Sequence, residues 1–352
     1  MLRQNMAAFR GLEIIRGFIR KNNINVVWGA TPESLLRHDK EGEKHDMIAY
    51  LFPGQGSQKE GMYNLFGDCA EEVSEVFDEA AKVTGRDIKA LCRDATEEEL
   101  KQTLNTQISV TTMNMAYAKL LEKRGIKPDV VAGHSLGQLS AIAAAGVIST
   151  VDLFRLVNKR AELMSGINES GKLATAVGLD KETVQNICEE VSKENGKVSI
   201  ALENSPTQYV IGGKEEDVDK AVVKLKEAGA LKVVEIKVSN AFHTYMMAPM
   251  VEDFKKFVNS LEFKKPVCKI LLNCKGGYSD DPEEIREDVI NQCENTVKWV
   301  DCINRLLSDE DVQIAEVGAG KIMASLIKGF DRKKKVYLMS NPTDFEELVN
   351  GA

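Results

Sequence analysis

The stretch Val130-Val131-Ala132-Gly133-His134-Ser135-Leu136-Gly137 decides the fold. Its first three residues are small and apolar and end a buried strand. Gly133-His134-Ser135-Leu136-Gly137 then fits the Gly-x-Ser-x-Gly nucleophile elbow. In that motif a tight strand-to-helix turn pushes a serine hydroxyl clear of the backbone, and the glycines leave room for the turn and for substrate. Residues 138–145 are rich in Ala and Ser, which predicts a helix packed close to a sheet, with Gly146 as its stop. Such a helix aims its free N–H groups and positive dipole end at Ser135, where an oxyanion forms in acyl transfer. The plainer alternative is a glycine-flanked turn with an incidental serine. Strand before and helix after favour the nucleophile.

Outward from this stretch, the 352 residues suffice for one large domain with an insertion, or for two domains. Hydrophobic residues make up 43% and charged residues 28%, ordinary values for a globular chain. The formal net charge of −8 argues against a nucleic-acid binder, although a local basic patch could still meet a small acidic partner. The seven cysteines are scattered and form no Cys-x-x-Cys pair, which points to reduced thiols in a cytoplasmic protein and to no metal site. No apolar run reaches the roughly 18 residues of a membrane span.

Residues 1–46 read as an N-terminal appendage. Up to Arg37 they hold six basic residues and two acidic ones, and Phe9, Leu12, Ile15, Phe18 and Ile19 could share a helical face. A transit peptide, a docking helix, a linker from a longer protein and sequence upstream of a start at Met47 all fit. His38 and His45 fall in its charged tail.

From Met47 a strand at 48–52 runs into the glycine-punctuated loop Pro53-Gly54-Gln55-Gly56-Ser57-Gln58, which could bring backbone N–H groups to a ligand. Residues 68–124 are mostly helical, with helices at 70–83 and 106–123 and a charged turn near 93–99. A helix over 151–164, with Thr150 as N-cap, places Leu153, Leu156, Val157, Arg160 and Met164 on one face. Arg160 therefore points where the apolar side chains point. It either snorkels or pairs with a core carboxylate, or it is a buried fork awaiting a substrate carboxylate.

Residues 172–238 read strand, helix, strand, strand, helix, strand, the ferredoxin-like order. Beyond them lies Ser239-Asn240-Ala241-Phe242-His243-Thr244. The chain has four histidines; two lie in the appendage and His134 adjoins Ser135, so His243 is the remaining candidate base for the serine. The alternative is a structural loop histidine. Further strands at 268–272, 312–317 and 336–339 alternate with helices at 282–293, 299–307 and 322–330. The fold class is thus α/β. A hydrolase-like lobe with a mainly parallel sheet spans 47–171 and 239–352, and a ferredoxin-like subdomain is inserted at 172–238.

Taken together, the chain resembles the malonyl-CoA:acyl-carrier-protein transacylase family, including the acyltransferases of polyketide synthases. The motifs that carry the likeness are Phe52-Pro-Gly-Gln-Gly-Ser-Gln58, Gly133-His-Ser-Leu-Gly137, Arg160, Asn204-Ser-Pro206, Ala241-Phe-His243 and Glu316-Val-Gly-Ala-Gly-Lys321. The resemblance implies that Ser135 is acylated and that His243 serves as base and then acid. It implies an oxyanion hole from the N–H groups of Gln55 and Leu136, and Arg160 as partner of the malonyl carboxylate. It also implies that the backbone carbonyl of Gln292 orients the histidine, so that a Ser–His dyad needs no third carboxylate. Malonyl-CoA and an acidic acyl carrier protein are the expected partners, a Lys/Arg patch near the cleft is expected to receive the carrier, and no cofactor is required. Phe242 looks like the bulky residue of the malonyl-selective branch, crowding an α-methyl group.

One position departs from the pattern. Most members carry Glu where this chain has Gln138, and Gln is similar to some stand-alone acyltransferases of polyketide pathways. Fatty-acid and polyketide carriers both remain open, and the chemistry is expected to survive a hydrogen-bonding side chain of equal length. Three rivals are an editing acyl hydrolase acting on carrier thioesters, a generic α/β-hydrolase esterase, and a non-catalytic carrier-docking subunit. The esterase is disfavoured because its Ser–Asp–His order leaves no place for a ferredoxin-like lobe between Ser and His.

Overall fold

The computed structural model describes residues 47–193, 197–236, 240–309 and 311–351. The appendage expected at 1–46, with His38 and His45, lies outside them. Strand β1 (Ile48–Phe52) is buried at every position, as a strand covered on both faces requires. Ile48, Tyr50 and Phe52 face one apolar cluster, while Ala49 and Leu51 face a second on the other side of the sheet.

A 3-10 helix (Met62–Val73) leads into α1 (Ser74–Thr84), and α2 (Ile88–Asp94), α3 (Glu97–Lys101) and α4 (Thr103–Lys123) follow. The helix expected from residue 70 becomes α-helical only at Ser74, after non-helical backbone at Gly67. The charged turn expected at 93–99 holds instead the junction of α2 and α3. There Thr96 and Glu99 form a capping box, each side chain accepting from the other's backbone N–H. From Thr103 to Ala118 no residue is charged. Correspondingly α4 buries Thr106, Gln107, Ser109, Thr111, Thr112 and Asn114 along with its apolar residues.

Strand β2 (Val130–Gly133) and α5 (Leu136–Ala144) flank Ser135, and α6 (Thr150–Ser165) follows. The N-cap of α6 is Ser149 rather than Thr150, its Oγ accepting from Asp152 N at 3.1 Å. Next come β3 (Lys172–Val177), α7 (Lys181–Lys193), β4 (Val198–Ser205), β5 (Gln208–Gly213), α8 (Glu215–Glu227) and β6 (Lys232–Ile236). These four strands make an antiparallel sheet in the order β4-β5-β3-β6, the ferredoxin-like arrangement, over a separate core that includes Val184, Ile187, Ile211, Val218 and Leu225.

The rest comprises α9 (Ala248–Asn259), β7 (Lys269–Leu272), β8 (Gly277–Ser279), α10 (Pro282–Asn291), α11 (Trp299–Leu307), β9 (Gln313–Glu316), α12 (Ile322–Ile327), β10 (Val336–Leu338) and α13 (Pro342–Gly351). The large sheet runs β10-β9-β1-β2-β7-β8, parallel throughout except for the edge strand β8. Phe52 pairs with Gly133 and Leu51 with Glu316, so β1, β2 and β9 end level with one another. At that carboxyl edge an open α/β sheet binds its ligands. Among the described residues no helix is long and apolar enough to cross a membrane.

Candidate active site

The elbow is built by close backbone approach. A Cβ on Gly133 would lie 2.0 Å from the carbonyl carbon of Gly137, and one on Gly137 would lie 2.0 Å from Phe52 O. Only glycine lets α5 pack this tightly onto the ends of β1 and β2. The turn leaves Ser135 at φ 53 and ψ −112, a conformation an L-residue keeps only when its surroundings enforce it. Asn273, just past β7, does so: Ser135 N donates to its Oδ1 at 2.8 Å, and its Nδ2 donates to Gly133 O at 2.8 Å. One side chain thus clasps the backbone on both sides of His134.

Ser135 Oγ lies 2.6 Å from His243 Nε2. His243 Nδ1 is 2.7 Å from the backbone oxygen of Gln292, and His243 N donates to Cys293 O at 2.9 Å. A carbonyl can only accept, so the proton sits on Nδ1 and Nε2 is left to accept from the serine. Burial, followed by the nearby Arg160 cation, lowers the pKa of His243 to about 3, so the ring is neutral at physiological pH. His134 turns away, with Nε2 2.9 Å from Asn204 Oδ1 and its ring edge-on to Trp299. Burial lowers its pKa to about 4, and Asn204 of β4 ties the elbow to the smaller sheet.

Arg160 is 2% exposed. Neither sequence alternative to a ligand fork applies, since the side chain does not reach solvent and has no carboxylate partner among the described residues. Its Nη1 donates to Gln107 Oε1 at 2.8 Å and its Nη2 to Gln292 Oε1 at 3.4 Å, while Nε has no partner among the described residues. Among the described residues this buried guanidinium is held by neutral amides alone and keeps an uncompensated charge, which a substrate carboxylate would match.

Ser135, His243, Arg160, Gln55, Leu136 and Phe242 all line one cleft of about 880 Å³. Gln55 sits in the loop after β1, where Ser57 Oγ donates to Gly54 O and Gln58 Oε1 accepts from Gly56 N. Leu136 begins α5, so its N–H has no carbonyl partner within that helix. Gln292 lies just behind, 1% exposed, its side chain against the elbow and Arg160. Sequence reading missed Gln107, Asn273 and Asp288. Among the described residues the lysines of the cleft wall are Lys101 and Lys172; the first pairs with Glu97, the second with Asp219, Glu215 and Glu235.

Residues 49–338 match the family model of the acyl transferase domain. The chain is 32% identical over 304 residues to the malonyl CoA-acyl carrier protein transacylase of Bacillus subtilis (strain 168), covering 86% of this chain and 96% of that protein. The chain belongs to the malonyl-CoA:acyl-carrier-protein transacylase family. Within it, the polyketide biosynthesis malonyl CoA-acyl carrier protein transacylase PksC of the same organism is 35% identical, covering 80% of this chain and 96% of that one. A solved malonyl-transacylase in complex with its holo type II PKS acyl-carrier protein superposes with a TM-score of 0.83 at 30% identity, covering 87% of this chain and all of that one. The transacylase-family motifs at Phe52–Gln58, Gly133–Gly137 and Glu316–Lys321 thus meet at one sheet edge. Glu316 itself is buried, and its Oε2 accepts from Ala324 N at 2.9 Å at the start of α12.

Proposed function

We propose that this protein transfers a malonyl group from malonyl-CoA to the pantetheine thiol of an acyl carrier protein through a malonyl-Ser135 intermediate. The observation that carries this reading is the buried, carboxylate-free Arg160 fork in the same cleft as the paired Ser135 and His243. Family membership supplies the prior; the site supplies the chemistry.

His243 Nε2 takes the Ser135 proton as Oγ attacks the thioester carbonyl. The N–H groups of Gln55 and Leu136 receive the resulting oxyanion. Collapse breaks the C–S bond, and the imidazolium returns its proton to the departing CoA thiolate. In the second half-reaction His243 deprotonates the pantetheine thiol, which attacks the serine ester and regenerates Ser135. The Gln292 carbonyl holds the histidine tautomer and stabilises the imidazolium, so the dyad needs no third carboxylate. The scheme calls for no metal or redox cofactor, and free thiols suit a cytoplasmic setting.

Arg160 selects a free carboxylate, because an acetyl group leaves the guanidinium buried and unmatched. Phe242, 7% exposed at the cleft, would crowd an α-methyl branch and favours malonyl over methylmalonyl. Fatty-acid and polyketide carriers offer the same pantetheine thiol, and this site suits either. The test is to follow label from malonyl-CoA to pantetheinylated carrier protein. Transfer abolished by Ser135→Ala supports the reading, while release of malonate to water with carrier present replaces it by the editing hydrolase.

A further inference from the structure

The side chains behind Arg160 form a chain of fixed polarity. Asp288 of α10, 6% exposed, accepts four hydrogen bonds. Cys274 N and Lys275 N both reach Oδ1 at 3.0 Å, while Gln138 Nε2 at 2.8 Å and Asn273 N at 3.1 Å reach Oδ2. Both oxygens are filled by donors, so the group is a carboxylate. It must face the Gln138 NH2. Gln138 Oε1 then accepts from Asn273 N and from Gln292 Nε2, each at 3.0 Å. Gln292 Nε2 also donates to Ser135 O at 3.0 Å, so Gln292 Oε1 turns to Arg160. Each amide orientation is settled by a partner that can only donate or only accept.

We propose that Asp288 is a positioning residue that aims Arg160, its carboxylate anchoring the far end of a Gln138–Gln292 amide relay whose direction Asn273 N and Ser135 O also hold. The relay runs from cation to anion with every dipole aligned: Arg160 donates to Gln292, Gln292 to Gln138, and Gln138 to Asp288. Reversing Gln138 would set its NH2 against that of Gln292, donor against donor, and could be relieved only by taking Gln292 Nε2 from Ser135 O and turning it toward the guanidinium. The relay also explains the departure at position 138. With the anion supplied by Asp288, residue 138 must both donate and accept, which Gln does and a carboxylate does not. The inference rests on Arg160 receiving the malonyl carboxylate.

The experiment follows acylation of the full chain by intact mass, with malonyl-CoA and acetyl-CoA in parallel. Asp288→Asn should lower the malonyl-over-acetyl loading ratio about tenfold to a hundredfold, the worth of a lost hydrogen bond to a charged group. The transposed pair Asp288→Asn with Gln138→Glu returns the carboxylate to the relay with the opposite partner donating, and should bring the ratio back to near the wild-type value. A purely structural aspartate would not be rescued by a charge moved to another helix. Asp288→Asn folded with the wild-type ratio overturns the proposal, as does a transposed pair that stays unselective or unfolded. If Asp288→Asn alone does not fold, the transposed pair decides. Wild type that takes no malonyl from malonyl-CoA instead refutes the function on which the inference rests.

Discussion

Ser135 Oγ and His243 Nε2 stand 2.6 Å apart across 108 residues of chain, the whole smaller sheet being inserted between them. Each residue has positive φ, 53 for Ser135 and 62 for His243, so both ends of the pair are held in backbone conformations that side chains ordinarily avoid. The rigidity lies in the backbone around them, through the Asn273 clasp and the Cys293 carbonyl.

The depressed pKa of His243 gives a pH signature. A general base must be unprotonated, so labelling of Ser135 by a fluorophosphonate should stay flat from neutral pH down to roughly pH 5 and fall only below it. Half-loss near the ordinary histidine value would contradict the burial argument. Arg160→Gln removes a neighbouring cation and should move the acid limb upward.

Arg160→Gln should lower malonyl loading while leaving acetyl loading within a few-fold, changing the ratio about a hundredfold. Rates with the two thioesters measured side by side decide this. An equal fall for both would assign Arg160 to folding rather than recognition.

Burial of two neutral histidines should make stability pH-dependent. His243 at about 3 and His134 at about 4 lie below the unfolded value of 6.5. Between those limits the unfolded chain binds more protons, so these groups destabilise the fold progressively as pH falls. Asp288 and Glu316, whose carboxyls burial raises, act in the opposite sense. The contribution of His134 is isolated by comparing urea midpoints of wild type and His134→Gln at neutral and mildly acid pH. His134→Gln should lose less stability than wild type on acidification, and an equal loss would refute the assignment.

Gly137→Ala should cost more than about 3 kcal/mol, because the added carbon meets the Phe52 backbone rather than a yielding side chain. Gly277→Ala, whose nearest neighbours are side-chain atoms of Lys275 at 3.9 Å, should cost less than about 1 kcal/mol. Thermal melts of the two variants test the contrast.

The elbow was legible because its signal is local: strand, turn and helix are adjacent in sequence, and the two glycines state the close approach. The ferredoxin-like order at 172–238 was legible for the same reason. Arg160 was legible only as far as its face of α6. Its partners Gln107 and Gln292 come from 53 and 132 residues away, and no spacing rule joins them. The one hint was the uncharged run through Thr103–Ala118, which marks α4 as buried and its polar side chains as in need of partners within the fold. Asn273 and Asp288 carry no local sign at all. Helix α9 could have been read from Met250, Phe254 and Val258, spaced four apart, with Pro249 in its first turn.

The most direct test of the central claim is the intact mass of the full chain after brief exposure to malonyl-CoA without carrier protein. One malonyl adduct is expected on wild type, mapped to the peptide bearing Ser135, and none on Ser135→Ala. No adduct on wild type, or an adduct that persists in Ser135→Ala, would contradict it.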